Sequence, residues 1–246
     1  TIEAIAMIFM LISVLNFGLH FYAWKNKSII HYFLDSEFKF LIYVLLGGAL
    51  LTVSALWLTD TYTLSDSFRH GLFQLISVAT TTGFGTSGFA NWPVFLPVLL
   101  FMMAFIGGCA GSTGGGMKVI RILLIYKQGI REIRRLIHPN AIIPVKINKR
   151  SVNDRVLESV WGFFSVYILT YMVMMVALLA TGLDHVTAFS AVGACLNNLG
   201  PGLGDVAAHY GDISDVAKWI LSITMLLGRL EIFTFLVLIS PAFWRN

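Results

Sequence analysis

Three short segments carry the residue types that could handle a charged substrate without being charged themselves. SVATTTGFGTSGF (residues 77–89) sets Thr80, Thr81, Thr82, Gly83 and Phe84 inside a stretch, residues 71–117, that holds no Asp, Glu, Lys, Arg or His. LNNLGPG (residues 196–202) offers Asn197, Asn198, Leu199, Gly200 and Pro201. GGCAGSTGGG (residues 107–116) packs six glycines into ten residues and contains the run Gly111, Ser112, Thr113, Gly114, Gly115, Gly116. Glycine permits the dihedrals that turn successive carbonyls to one side, and ranks of carbonyls replacing a hydration shell select among cations. The chemistry predicted is coordination of a cation by neutral oxygens.

Other chemistries fit these residues poorly. GFGTSG (residues 83–88) has the spacing of a dinucleotide-binding loop, but no strand precedes it and no acidic residue lies about twenty positions on. GSTGGGMK (residues 111–118) approaches a Walker loop, yet Met117 separates the last glycine from Lys118 and no Ser or Thr follows. Cys109 and Cys195 fall in apolar segments without metal-ligand spacing, and the six histidines form no i, i+4 pair. No nucleophile–base pair or metal cluster is visible. Neither an enzyme nor a cofactor is expected, and a cation would be substrate.

The elements that position these segments must shield polar backbone from lipid. Only 12% of the 246 residues are charged and 57% are hydrophobic, against about 25% charged in soluble domains, so the solvent is a bilayer. Uncharged runs over residues 5–19, 40–58, 92–107 and 159–183 have about the length that crosses ~30 Å of hydrocarbon. A fifth, residues 219–244, is interrupted only by Arg229 and Glu231. Two apolar helices, residues 67–79 and 185–196, are too short to span at ~1.5 Å per residue. Each leads into a Gly-x-Gly segment whose backbone must face protein or a water-filled path. An offset of 117 lays Gly83 on Gly200, Gly85 on Gly202 and Gly111 on Gly228, so the order long helix, short helix, Gly-x-Gly, second helix occurs twice.

Residues 118–155 hold ten Lys and Arg against Glu132 and Asp154, which places this connection on the cytoplasmic side by the positive-inside rule. Pinned between spans, it is no nucleic-acid patch. Asp60, Asp66, Asp184, Asp205, Asp212 and Asp215 gather on the other side, where they raise the local cation concentration. The chain has no initiator Met and no basic region before its first apolar run, so it reads as beginning mid-protein, without a signal peptide.

With TTTGFG, NNLGPG and GGCAGSTGGGMK in this order, the chain resembles the Trk/Ktr/HKT potassium transporters, and among them the bacterial membrane subunits. That family arranges four helix–pore-loop–helix units around one pore. The resemblance implies an all-α integral membrane protein, multi-pass in the bacterial cytoplasmic membrane, that takes up potassium. It implies that residues 1–39 are the last helix of a preceding unit with a cytoplasmic linker. Residues 40–126 would be the third unit, with a broken second helix, residues 127–157 a basic connection, and residues 158–246 the fourth unit. The N-terminal half would then be missing. Potassium would be coordinated at Thr81, Thr82, Gly83, Asn198, Leu199 and Gly200. The glycine run, which must break a helix in mid-membrane, would be a gate below the filter, with Arg229 as a pore-facing cation. A salt bridge to another helix is the other reading of Arg229, because arginine at bilayer depth costs several kcal/mol. Glu231, two residues on, is a poor partner within the same helix.

YKQGIREIRRLIHPN (residues 126–140) reads as an amphipathic basic helix ended by Pro139. It could lie on anionic lipid, or dock a cytoplasmic nucleotide-binding regulatory ring of the TrkA type, as the resemblance implies, through Arg131, Arg134 and Arg135. A homodimer is also implied. Broken helices at the midplane build ion-coupled secondary transporters as well, which is the alternative to a channel-like pore.

Overall fold

The computed structural model describes residues 2–93, 95–241 and 243–245. It is built almost wholly from helices, α1 (Ile2–Val14), α2 (Phe17–Lys25), α3 (Ile30–Leu34), α4 (Ser36–Leu58), α5 (Leu64–Ala79), α6 (Phe95–Ile106) and α7 (Val119–Ile137), then α8 (Asp154–Leu179), α9 (His185–Leu196), α10 (Asp215–Arg229) and α11 (Ile232–Ile239). A two-stranded antiparallel ribbon, β1 (Lys146–Ile147) with β2 (Arg150–Ser151), joins α7 to α8. Two of the described helices, α4 and α8, are each long and apolar enough to cross a bilayer, and up to four spans result if each bent pair counts as one. With their apolar faces turned outward, as at Tyr43, Leu50, Leu169 and Val173, these helices make an integral membrane protein.

Three of the expected spans are broken. The first apolar run is not one helix: α1 and α2 meet at 95°, and Asn16 starts α2 by accepting the Gly18 N–H on its side-chain oxygen at 2.8 Å. The run over residues 92–107 yields α6, which at ~1.5 Å per residue covers only about half a bilayer before Gly107 turns the chain. The last run is broken after Arg229, where α10 and α11 meet at 107°. Arg229 is therefore the last residue of a helix beside a bend, not a residue in mid-span.

The two units share one plan, α4–α5–α6/α7 and α8–α9–α10/α11. α9 has the bounds the sequence predicts, whereas α5 begins three residues earlier than expected because Thr63 caps it, accepting the Asp66 N–H. Cores form where each short helix packs between its neighbours. Leu56, Leu75, Leu96 and Phe101 are fully enclosed in the first unit, and Leu178, Ala188, Val192 and Ala217 in the second. α9 is buried along most of its length and α5 over its C-terminal half, so their C-terminal ends are fixed from all sides.

Candidate functional site

Both short helices stop in the same way. After Ala79, Thr80 caps the helix, Thr81 takes a left-handed conformation (φ 56°), and Gly83 follows at φ 80°. After Leu196 the sequence of states is Asn197, Asn198 at φ 55°, and Gly200 at φ 105°. In the first unit the Thr82 N–H reaches the Ser77 carbonyl at 2.9 Å and the Thr81 N–H the Val78 carbonyl at 3.0 Å. The second repeats both bonds, Leu199 to Ala194 at 2.8 Å and Asn198 to Cys195 at 3.1 Å. This is a Schellman ending, with threonine and asparagine where glycine is usual. Asparagine tolerates that conformation; a β-branched threonine there is strained. Thr81 is held in place by its hydroxyl, which donates to the Thr80 carbonyl at 2.7 Å and accepts the Gly115 N–H at 2.7 Å.

The two turns meet. A Cβ on Gly83 would overlap the Leu199 carbonyl oxygen and lie 3.3 Å from the Pro201 ring. A Cβ on Gly200 would meet nothing within 4 Å, so that backbone borders open space. Phe84 is 61% exposed, and its carbonyl accepts the Ser77 hydroxyl at 2.6 Å. The Tyr167 hydroxyl donates to the Asn197 side-chain oxygen at 2.7 Å, while the buried Asn197 amide nitrogen has no partner among the described residues.

Directly against these turns lies the glycine-rich segment. A Cβ on Gly115 would overlap the Asn197 carbonyl, and one on Gly114 would come within 3.3 Å of the Thr80 carbonyl. The segment is a closed loop: the Val119 N–H reaches the Gly108 carbonyl at 3.0 Å and the Met117 N–H the Phe105 carbonyl at 3.0 Å. It is bonded across to the α1–α2 break through Cys109 N–H to the Val14 carbonyl (2.9 Å), Thr113 hydroxyl to the Ser13 carbonyl (3.1 Å) and Phe17 N–H to the Gly111 carbonyl (3.2 Å). One carboxylate oxygen of Glu37, a residue only 6% exposed, accepts both the Ala110 N–H at 2.8 Å and the Ile120 N–H at 3.1 Å. Lys118 donates to the Gly114 carbonyl from inside the loop.

A polar cavity of about 280 Å³ opens between the loop and the second turn, lined by Ser112, Gly115, Lys118, Asn198, Arg229 and Glu231. Among the described residues Arg229 forms no ion pair. Glu231, a poor partner for Arg229 from its spacing, binds Arg121 of α7 at 2.7 Å, and the Arg121 guanidinium sits 4.0 Å above the Phe163 ring. Lys118 (φ 76°) and Glu231 (φ 55°) are the left-handed residues from which α7 and α11 resume. The cavity thus carries Lys118 and Arg229 against one carboxylate already shared with Arg121.

The full length of the chain, residues 1–246, matches the TrkH family, described as a cation transport protein. The chain belongs to the TrkH family. It is 57% identical, over 100% of its length and 51% of the relative's, to the Trk system potassium uptake protein TrkH of Halomonas elongata. The TrkH protein of Salmonella typhimurium is 53% identical over the same shares. The crystal structure of the potassium transporter TrkH from Vibrio parahaemolyticus superposes with a TM-score of 0.94 at 53% identity, covering 99% of this chain and 53% of that one. The chain spans about half the length of the curated relatives it matches.

Within this TrkH-family fold, Thr80–Phe84 and Asn197–Pro201 lie at one meeting point, with residues 114–116 packed on it and Arg229 across the cavity. Gly111 stands apart, its Cβ direction facing the Asn16 side chain at 3.4 Å, and so does not occupy the place of Gly228. Gly228 instead packs on the Leu196 carbonyl and Asn198, as Gly114 packs on the Thr80 carbonyl of the first turn. Glu37, Asn16, Lys118 and Tyr167 escaped the sequence reading. Only Lys118 carried a signal, as the lone cation at the end of a long uncharged stretch.

Proposed function

We propose that this chain contributes two of the pore units through which potassium ions enter a bacterial cell across the cytoplasmic membrane. The observation that carries the reading is the pair of matching left-handed endings, Thr81–Gly83 and Asn198–Gly200, brought into contact at the C-terminal ends of α5 and α9. Helix carboxyl ends bear partial negative charge, and backbone at membrane depth that lipid cannot satisfy must line a water-filled path. The names printed for the TrkH relatives, potassium uptake proteins, supply the ion. In this reading carbonyl and hydroxyl oxygens of Thr81, Thr82, Gly83, Asn198, Leu199 and Gly200 take over the hydration shell. The loop at residues 111–116 closes the path below them, with Arg229 and Lys118 opposing passage by charge. The rest of the ring comes from sequence outside this chain, and the assembly is a homodimer regulated by a cytoplasmic nucleotide-binding ring docked on the exposed face of α7.

The test is ion selectivity. A side chain at a left-handed glycine strains the backbone by ~1–2 kcal/mol. Gly83→Ser adds an overlap with the Leu199 carbonyl that Gly200→Ser lacks. Both substitutions are expected to lower potassium-over-sodium discrimination in the full-length protein, Gly83→Ser by more. Reversal potentials in mixed potassium and sodium that stay at wild-type values in both variants would overturn the assignment.

A further inference from the structure

We propose that Tyr210 is a specificity-determining residue, which sets the orientation of the Gly200–Pro201 peptide plane and through it the ion preference of the second turn. This rests on the reading of the turns as an ion-coordinating filter. The Tyr210 hydroxyl donates to the Gly200 carbonyl at 2.7 Å across ten residues of chain.

Among the described residues that phenol is the one hydrogen-bond donor to the Gly200 carbonyl. Pro201 has no N–H to anchor the plane from the nitrogen side. Gly200 makes no backbone–backbone hydrogen bond among the described residues, and no atom stands within 4 Å of where its Cβ would be. Glycine at φ 105° has no Cβ to limit it, but Pro201 narrows its ψ and fixes the far side of the plane. The phenol therefore sets the tilt of one coordinating carbonyl. Bonded to Tyr210, the Gly200 oxygen keeps a fixed direction beside the ion path; without that bond its direction relaxes within the range Pro201 leaves.

The first unit is braced differently. There the Ser77 hydroxyl, from within α5, holds the Phe84 carbonyl at 2.6 Å, one peptide further along than the Gly200 carbonyl once the repeat is superposed. The two turns therefore present their oxygens from differently tethered planes, one fixed by its own helix and one by a side chain reaching in from the loop before α10. Tyr210 is itself seated: its ring packs against the core of the second unit with Ala191, Cys195 and Ala217 in that cluster, so the phenol is a rigid post.

The experiment compares Tyr210→Phe, Tyr171→Phe and Gly200→Ser in the full-length protein reconstituted in liposomes, by reversal potential and by rubidium-to-potassium flux ratio. Tyr171→Phe is the control, because it removes a phenol bond of similar length, to the Phe189 carbonyl at 2.6 Å, away from both turns. Loss of one neutral hydrogen bond shifts an orientation equilibrium about fivefold. Tyr210→Phe is expected to lower potassium-over-sodium discrimination by a factor of that order and to change the rubidium ratio. Tyr210→Leu should do so at least as much, and Tyr171→Phe not at all. Unchanged selectivity in folded Tyr210→Phe and Tyr210→Leu, with Gly200→Ser impaired, overturns the role of Tyr210 alone. Unchanged selectivity in all of them overturns the filter reading beneath it. Equal losses in Tyr210→Phe and Tyr171→Phe would mean general loosening of the unit and would also overturn the proposal.

Discussion

Removing the Glu37 carboxylate should open the path. This side chain, near the start of α4, is the single acceptor for the N–H groups at both ends of the glycine-rich loop, Ala110 at 2.8 Å and Ile120 at 3.1 Å. Hydrogen bonds to a charged group contribute about 1.5–3 kcal/mol each. Since both N–H groups share one oxygen, the lower end applies, and the pair holds the loop by about 3 kcal/mol. Glu37→Ala removes both bonds and shifts a closed–open equilibrium by roughly a hundredfold, since about 1.4 kcal/mol is a factor of ten. Glu37→Gln keeps a neutral acceptor in the same place, worth about 0.5–1.5 kcal/mol per bond, and should shift it by about thirtyfold at most. The expected order of basal flux is Glu37→Ala above Glu37→Gln above the unaltered protein, with selectivity unchanged in all three. The assay is rubidium uptake by proteoliposomes, normalised to protein that elutes as a single folded species. Folded variants with unaltered flux would refute the reasoning and leave Glu37 as a structural brace only.

Arg229→Ala is expected to raise flux, because two unit charges ~4 Å apart at an effective dielectric of about 20 repel by roughly 4 kcal/mol; Arg229→Lys should keep most of the barrier, and potassium flux per folded protein distinguishes them. Lys118 remains in the Ala variant, so the barrier falls without vanishing. Arg134→Gln together with Arg135→Gln should weaken retention of a cytoplasmic partner in co-purification at moderate salt, with intrinsic conduction intact, whereas either alone contributes only ~0–1 kcal/mol. Arg131, grouped with them from sequence, is only 8% exposed and bound to Asp154 at 2.9 Å; Arg131→Gln should lower thermal stability instead, read by thermal unfolding in detergent.

Much of this architecture was legible because membrane constraints leave few choices. α9 is bounded in the sequence by its apolar run and the Gly-x-Gly segment after it, and Asp184 caps it at the first of those bounds. The matching glycines at an offset of 117 also located both turns. The offset fails beyond them because residues 107–118 separate α6 from α7, while only residues 230–231 separate α10 from α11. A register read from glycines passes over an insertion placed between them, so Gly111 was paired with Gly228 although the two face different neighbours. The bends at Asn16 and Glu231 were illegible for another reason. Neither residue is a proline or glycine, and beyond the local cap at Asn16 each bend is held by bonds to a distant segment, the loop in one case and Arg121 in the other. Glu37 likewise reads as an ordinary first-turn acid of α4 until the loop folds back onto it.

The bonding of the glycine-rich loop to the α1–α2 break also bears on the order in which the protein is made. Val14, Ser13 and Phe17, which supply its backbone partners, leave the ribosome about a hundred residues ahead of the loop. When the loop reaches the bilayer, its exposed N–H and C=O groups meet acceptors and donors that are already inserted. A rearranged gene that moved α1 behind α11 would deliver Ser13 and Val14 last. The Cys109 and Thr113 N–H groups would then lack their acceptors for the whole synthesis of the second unit, at several kcal/mol for each orphaned group. Chain order, and not only final geometry, is thus part of how this segment comes to exist inside a membrane.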